Sequence, residues 1–177
     1  MKLSEPQTSR FRMLAVLALA AATLSACTPE PEPTPTAAFA SEEEAFAAAE
    51  GVYRAYIENF NSVDLEDPQT FEVLNQYTTG DYQADERTQL SEMYAGEYTR
   101  SGDLLIESFI GTEMSDERVK ARTCENVSGV VLLDATGQSV VSPDRPVRYA
   151  LDVTFTKVDG ELRIAETVAV QDDACAG

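Results

Sequence analysis

The amino-acid sequence predicts an α+β fold: N-terminal helices packed against one face of an antiparallel sheet. Two observations carry this. Apolar residues recur at helical spacing from Ser41 to about Thr99, then alternate with polar ones toward the C-terminus. A single Asp-Gly pair, Asp159-Gly160, sits between two of the alternating runs, as in a tight hairpin. Helices first and strands after is the order of a layered α+β domain.

Ser41 followed by Glu44 forms a capping box. It opens a run in which Phe46, Ala49, Val52, Tyr53, Tyr56, Ile57 and Phe60 paint one helical face through about Asn59. Asp67-Pro68 reads as an N-cap followed by proline at the first helical position. Phe71, Leu74 and Tyr77 supply the short apolar stripe of this second helix, which Gly80 ends. A third helix is expected over 81–99, turning Tyr82, Leu90, Met93, Tyr94 and Tyr98 inward, with Ser101-Gly102 as its stop.

From there the period becomes two. "DLLIESFIGTEM", "ERVKARTCENV", "GVVLLDATGQSVV", "VRYALDVTFTKV" and "ELRIAETVAVQ" are successive strand candidates. Val147, Tyr149, Leu151, Val153 and Phe155 alternate against Arg148, Ala150, Asp152 and Thr154. Val158-Asp159-Gly160-Glu161 predicts a type I′ turn, and "DATG" at 134–137 marks another.

That layout, with "VYRAYIENFNS" early, "YTTGDY" midway and strands to the end, resembles the NTF2-like superfamily. The resemblance spans 41–175 and implies a cystatin-like cone, helices closing a curved antiparallel sheet. The stretch "VKARTCENVSGVVLLDATG" with a late Cys175 is similar to exported actinobacterial NTF2-like lipoproteins. The sequence departs from the family in showing no clear hairpin between the second and third helices.

Ahead of the domain, Lys2, Arg10 and Arg12 precede an apolar run, Met13 to Leu24, closed by Ser25, Ala26 and Cys27. About a dozen apolar residues fall short of the roughly 20 a spanning helix needs. The arrangement is that of a secretory signal. Leu24-Ser25-Ala26-Cys27 resembles the lipobox of bacterial lipoproteins. The resemblance implies cleavage between Ala26 and Cys27 and lipidation of Cys27, so that acyl chains, palmitate among them, hold the protein on the outer side of the cell membrane. Ordinary secretion with a free thiol is the competing reading. Thr28 to Ala40 carries Pro29, Pro31, Pro33 and Pro35, an extended tether of roughly 40 Å at most. The expected organisation is a signal peptide at 1–26, a lipidated cysteine and proline-rich tether at 27–40, and one domain at 41–177.

Three cysteines are present. With Cys27 assigned to the lipid, Cys124 and Cys175 remain in an exported chain, where a disulfide is the natural pairing. Zinc is the weaker alternative, because the chain has no histidine. No metal site and no cofactor is expected, since the acidic clusters lack the ligand spacing of a calcium loop.

Thirteen basic residues stand against 31 acidic ones, a net charge of −18. Nucleic acid is therefore excluded as a partner, for it demands clustered positive charge. Without histidine the usual near-neutral acid or base is missing. The resemblance implies that a pocket carboxylate would do such work in enzymatic relatives. Asp152 and Glu107 are the candidates, and Tyr53, Tyr56, Tyr94 and Tyr149 are candidate pocket-lining residues. Each has a plainer role, core for the tyrosines and a solvated face for Asp152. The expected function is non-catalytic: the tethered domain binds an envelope protein or a second copy of itself. A cone holding a small apolar ligand is the alternative, and an isomerase- or dehydratase-like enzyme the next.

Overall fold

The structure, a computed structural model, describes residues Phe39 to Cys175. Ala26, Cys27 and the proline-rich run lie outside the described residues. The domain has the expected α+β architecture, with helices against a curved antiparallel sheet. Among the described residues, no helix is long and apolar enough to cross a membrane.

Helix α1 spans Glu42–Asn61. The capping box forms in a shifted variant: Ser41 Oγ accepts from the Glu44 amide at 3.2 Å, and Glu44 Oε2 accepts from the amide of Ala40, the residue before the cap, at 2.8 Å. Ala45, Ala49, Tyr53, Tyr56 and Ile57 are its buried residues, a stripe at intervals of three and four. The second helical segment, Pro68–Gln76, is 3₁₀ rather than α. Asp67 caps it by accepting from the Gln69 amide at 3.0 Å, and Phe71 and Leu74 face the core. Helix α2 spans Gly80–Ala95, ending four residues before the expected Thr99. Gly96 caps it, and Glu97 takes a left-handed φ of 54° that turns the chain away. Gly80, expected to end the second helix, instead opens the third.

Six strands follow: β1 Thr99–Ser101, β2 Leu105–Met114, β3 Arg118–Asn126, β4 Val131–Leu133, β5 Arg148–Val158 and β6 Glu161–Val170. The main sheet has the order β2-β3-β5-β6, antiparallel throughout. Irregularities at Ile106/Ser108, Gly111/Glu113 and Thr154/Phe155 bend it. The β5–β6 turn has positive φ at both central residues, 52° at Asp159 and 88° at Gly160, the conformation of the expected type I′ turn. Most of "GVVLLDATGQSVV" is not strand. Its one strand, β4, pairs with β1 in a separate two-stranded unit, and a single bridge joins Leu133 to Ser139 across the Asp134–Gly137 turn.

The sheet's inner register carries Val119, Ala121, Thr123 and Glu125 on β3, beside Phe155, Val153, Leu151 and Tyr149 on β5. Val119, Val153, Phe155 and Ile164 are fully buried beneath α1. Helix and sheet come into close contact at Gly111, where an added Cβ would lie 2.1 Å from the Phe46 ring. Only a residue without a side chain fits that contact. The outer face is ionic: Lys120 meets Glu113 at 2.7 Å, Arg122 meets Asp152 at 2.7 Å, and Arg148 meets Glu107 at 2.6 Å. Cys124, on the same face, is joined to Cys175, with Cα atoms 5.6 Å apart. The pairing lays the C-terminal segment across β3 and β5, where Cys124, Ala150 and Cys175 bury one another.

Candidate functional site

Between α1, α2, the sheet and the β1–β4 unit lies a cavity of about 510 Å³. Apolar walls come from Ile57, Phe60, Leu90, Met93, Leu132 and Leu151. Each reaches it by the periodicity of its own element: one face of each helix, the inner register of β5 and, for Leu132, the middle of β4.

The polar groups converge at Tyr53, Tyr56 and Tyr82 and at two glutamates. The Tyr53 hydroxyl donates to Glu125 Oε1. The Tyr56 hydroxyl donates to Glu86 Oε1 at 2.6 Å and lies 3.0 Å from the Tyr82 hydroxyl. Thr78 Oγ1 donates to Glu86 Oε2 at 3.3 Å. Glu125 is 6% exposed and Glu86 9%, so both carboxyls have lost most of their water.

Burial dominates their electrostatics. It raises the Glu125 carboxyl above its ordinary range, against the opposing hydrogen bond from Tyr53. It raises Glu86 in the same way, against the bonds from Tyr56 and Thr78. Tyr82 is pushed up to about 12, chiefly by desolvation. Tyr53 and Tyr56 rise well above an ordinary phenol, first through burial and then through the adjoining acids and the Tyr82 phenol. The phenols are therefore fixed donors at any ordinary pH, and the glutamates are the groups able to exchange a proton.

Two arginines line the same cavity, and one terminal nitrogen of each is bonded to backbone carbonyls. Arg100 donates through one terminal nitrogen to the Phe60 and Val63 carbonyls, with its guanidinium carbon 4.6 Å from the Phe60 ring centre. Arg145 donates to the Val127 and Val130 carbonyls at 2.9 and 2.6 Å. Neither forms an ion pair with Glu86 or Glu125.

Of the tyrosines singled out in the sequence, Tyr53 and Tyr56 line this cavity and Tyr94 and Tyr149 do not. Tyr94 is 47% exposed, because α2 turns that side to solvent. Tyr149 shares the inner register with Glu125 but stands near the end of β5, bordering a shallow groove with Pro146 and Gln171. The candidate carboxylates are also elsewhere. Asp152 and Glu107 lie on the outer face, each held below the ordinary carboxylate range first by its hydrogen bond to arginine, Arg122 and Arg148 respectively.

Sequence reading missed Glu125 and Glu86. Glu125 continues the inward register of Val119, Ala121 and Thr123. Glu86 sits one turn from both Tyr82 and Leu90 on the apolar side of α2. A glutamate in phase with a buried stripe was the available signal. Among the described residues, no group of acidic or cysteine side chains is arranged to hold a metal ion.

No family model matches the chain, and no curated protein matches it in sequence. Among solved structures, it is similar to the intermembrane-space region of the chloroplast protein ARC6, at 15% identity and a TM-score of 0.48, covering 72% of this chain and 97% of that one. It is similar to Aln2 from a Streptomyces species, at 17% identity and a TM-score of 0.44, covering 80% and 95%. A candidate aromatic ring hydroxylase from Novosphingobium aromaticivorans stands at 10% identity and 0.48, covering 72% and 94%. At these values the likenesses concern the chain's layout only.

Proposed function

We propose that the protein is a lipid-tethered extracytoplasmic binding module whose cavity takes up a small amphipathic molecule. The observation that carries this reading is the cavity itself: about 510 Å³, apolar walls, and hydroxyl and carboxyl groups converging at one part of its lining. Such a combination is what ligand pockets present: apolar surface for affinity and a few fixed polar groups for orientation. Binding asks nothing further of these residues. Catalysis would add a proton transfer to a reacting atom, for which Glu125 and Glu86, both raised by burial, are the available groups.

A protein partner is the second reading. It is favoured by Leu105 and Ile110 on edge strand β2, 56% and 61% exposed. The ion pairs of Lys120, Arg122 and Arg148 interrupt the outer face beside them, so no continuous apolar surface is offered there. Tethering rests on the signal and on Cys27, both read from the sequence.

Native mass spectrometry tests the binding reading. The full chain carrying Cys27→Ser, exported from a bacterial host, is expected to retain a bound mass of a few hundred daltons. Solvent extraction should return that molecule chemically unchanged. A chain that is always bare, and that gains no mass from a panel of amphipathic compounds, would overturn it. For the tether, wild type should partition into detergent, and a chain released at Thr28 from a cleavable secretory signal into the aqueous phase. Equal partitioning would remove the lipid from the account.

A further inference from the structure

We propose that the molecule held in this cavity is a small organic cation, an alkyl- or arylammonium whose nitrogen lies beside the Glu125 carboxyl among the rings of Tyr53, Tyr56 and Tyr82. The inference rests on the reading of the cavity as a ligand site and adds the ligand's charge to it.

Four observations lead there. Both buried acids are surrounded by hydroxyl donors, Tyr53 for Glu125 and Tyr56 with Thr78 for Glu86. Among the described residues, neither has a basic partner. Hydroxyl donors suit a carboxylate, yet a carboxylate so enclosed is costly unless a cation joins it. Second, Tyr53 occupies Oε1 of Glu125, and no hydrogen bond among the described residues reaches Oε2. A positively charged nitrogen beside that oxygen would complete the site.

Third, the surrounding wall is aromatic. Tyr53 and Tyr56 lie with ring centres 6.1 Å apart, and Tyr56 and Tyr82 with centres 6.5 Å apart. Such rings attract a desolvated ammonium through their negative faces. Fourth, the chain carries a net charge of −18, which draws cations toward the site and repels anions. Arg100 and Arg145 also line the cavity, each with one terminal nitrogen on main-chain carbonyls, so octanoate is the probe that reads whether they hold an anion.

The test compares three probes with one tail, octylammonium, 1-octanol and octanoate, by titration calorimetry on the full chain carrying Cys27→Ser at pH 7.5. The ammonium is expected to bind at least tenfold more tightly than the alcohol or the acid. Adding Glu125→Gln should weaken the ammonium by tenfold or more and move the alcohol by less than twofold. Equal or tighter binding of octanol or octanoate would overturn the charge assignment and leave the cavity reading intact. Should no probe bind to folded protein at millimolar concentration, both readings fall. An ammonium preference that survives the glutamine removes Glu125 from the role. Where that variant does not fold, Glu86→Gln and the ranking on the parent chain decide.

Discussion

Replacing both Cys124 and Cys175 with alanine removes the one covalent link in the described fold, and its effect can be worked from the chain. The two residues are separated by 51 positions. On the chain-entropy relation a loop of that length restricts the unfolded chain by roughly 14 cal/mol/K, or about 4 kcal/mol at 25 °C. Both cysteines are buried, so alanine avoids leaving a polar thiol in each site. Urea unfolding followed by far-ultraviolet dichroism should therefore show the midpoint falling by about 2 M, for a slope near 2 kcal/mol per molar. The slope itself should rise, since the uncrosslinked unfolded chain exposes more surface. The melting temperature should drop by roughly 10 °C. Reduction of the native protein should also be slow. Cys124 and Cys175 are 7% and 6% exposed, so attack must wait for the tail to lift from Arg122, which meets Asp172 at 3.6 Å. A double variant within about 1 kcal/mol of the oxidised parent, at unchanged slope, would refute this account of the link.

Glu125→Gln tests the buried acid without any ligand. Because burial raises the folded-state carboxyl, the folded chain keeps its proton after the unfolded chain ionises near 4.5, so stability falls as pH rises through that window and stays lower above it. Measured relative to pH 4, the glutamine variant should gain on the parent by about 1.4 kcal/mol per unit of elevation by pH 8, read from urea midpoints; a difference independent of pH would sink the claim. Gly111→Ala forces a methyl group against the Phe46 ring and should cost roughly 1–3 kcal/mol. Recovery in the pair Gly111→Ala with Phe46→Leu would identify the ring as the obstacle, whereas a stability unchanged by the first substitution would show the contact to be loose. Gly160→Val places a β-branched residue at a φ of 88° and should destabilise by about 1 kcal/mol or more in thermal melts. A neutral result would mean the β5–β6 turn can change type.

Local signals carried most of the fold. The capping box, the alanine and tyrosine stripe of α1, and the Asp159-Gly160 turn each depend on residues within one or two turns of one another, and each lies where the spacing put it. Features set by distant partners were hidden. The β1–β4 unit forms because Thr99 to Ser101 meets Val131 to Leu133, and nothing near either segment announces the other. Gly96 did announce the end of α2, but the aromatic residue beyond it extended the apparent stripe. The site was half legible: Tyr53 and Tyr56 follow from helical phase, whereas Glu125 and Glu86 read as surface because charge ordinarily means solvent. Only the tertiary arrangement supplies the hydroxyls that make their burial tolerable.

The contact between Phe46 and Gly111 has a mechanical consequence. Tyr53 and Tyr56 lie seven and ten residues farther along the same helix, roughly 10 and 15 Å from that pivot. The Phe46 ring stands directly over Gly111, where an added Cβ would lie 2.1 Å from it. A residue that pries the pivot open would swing the far end of α1 through a longer arc than the displacement that caused it. A larger residue at Gly111, which does not line the pocket, is therefore expected to change the pocket's width.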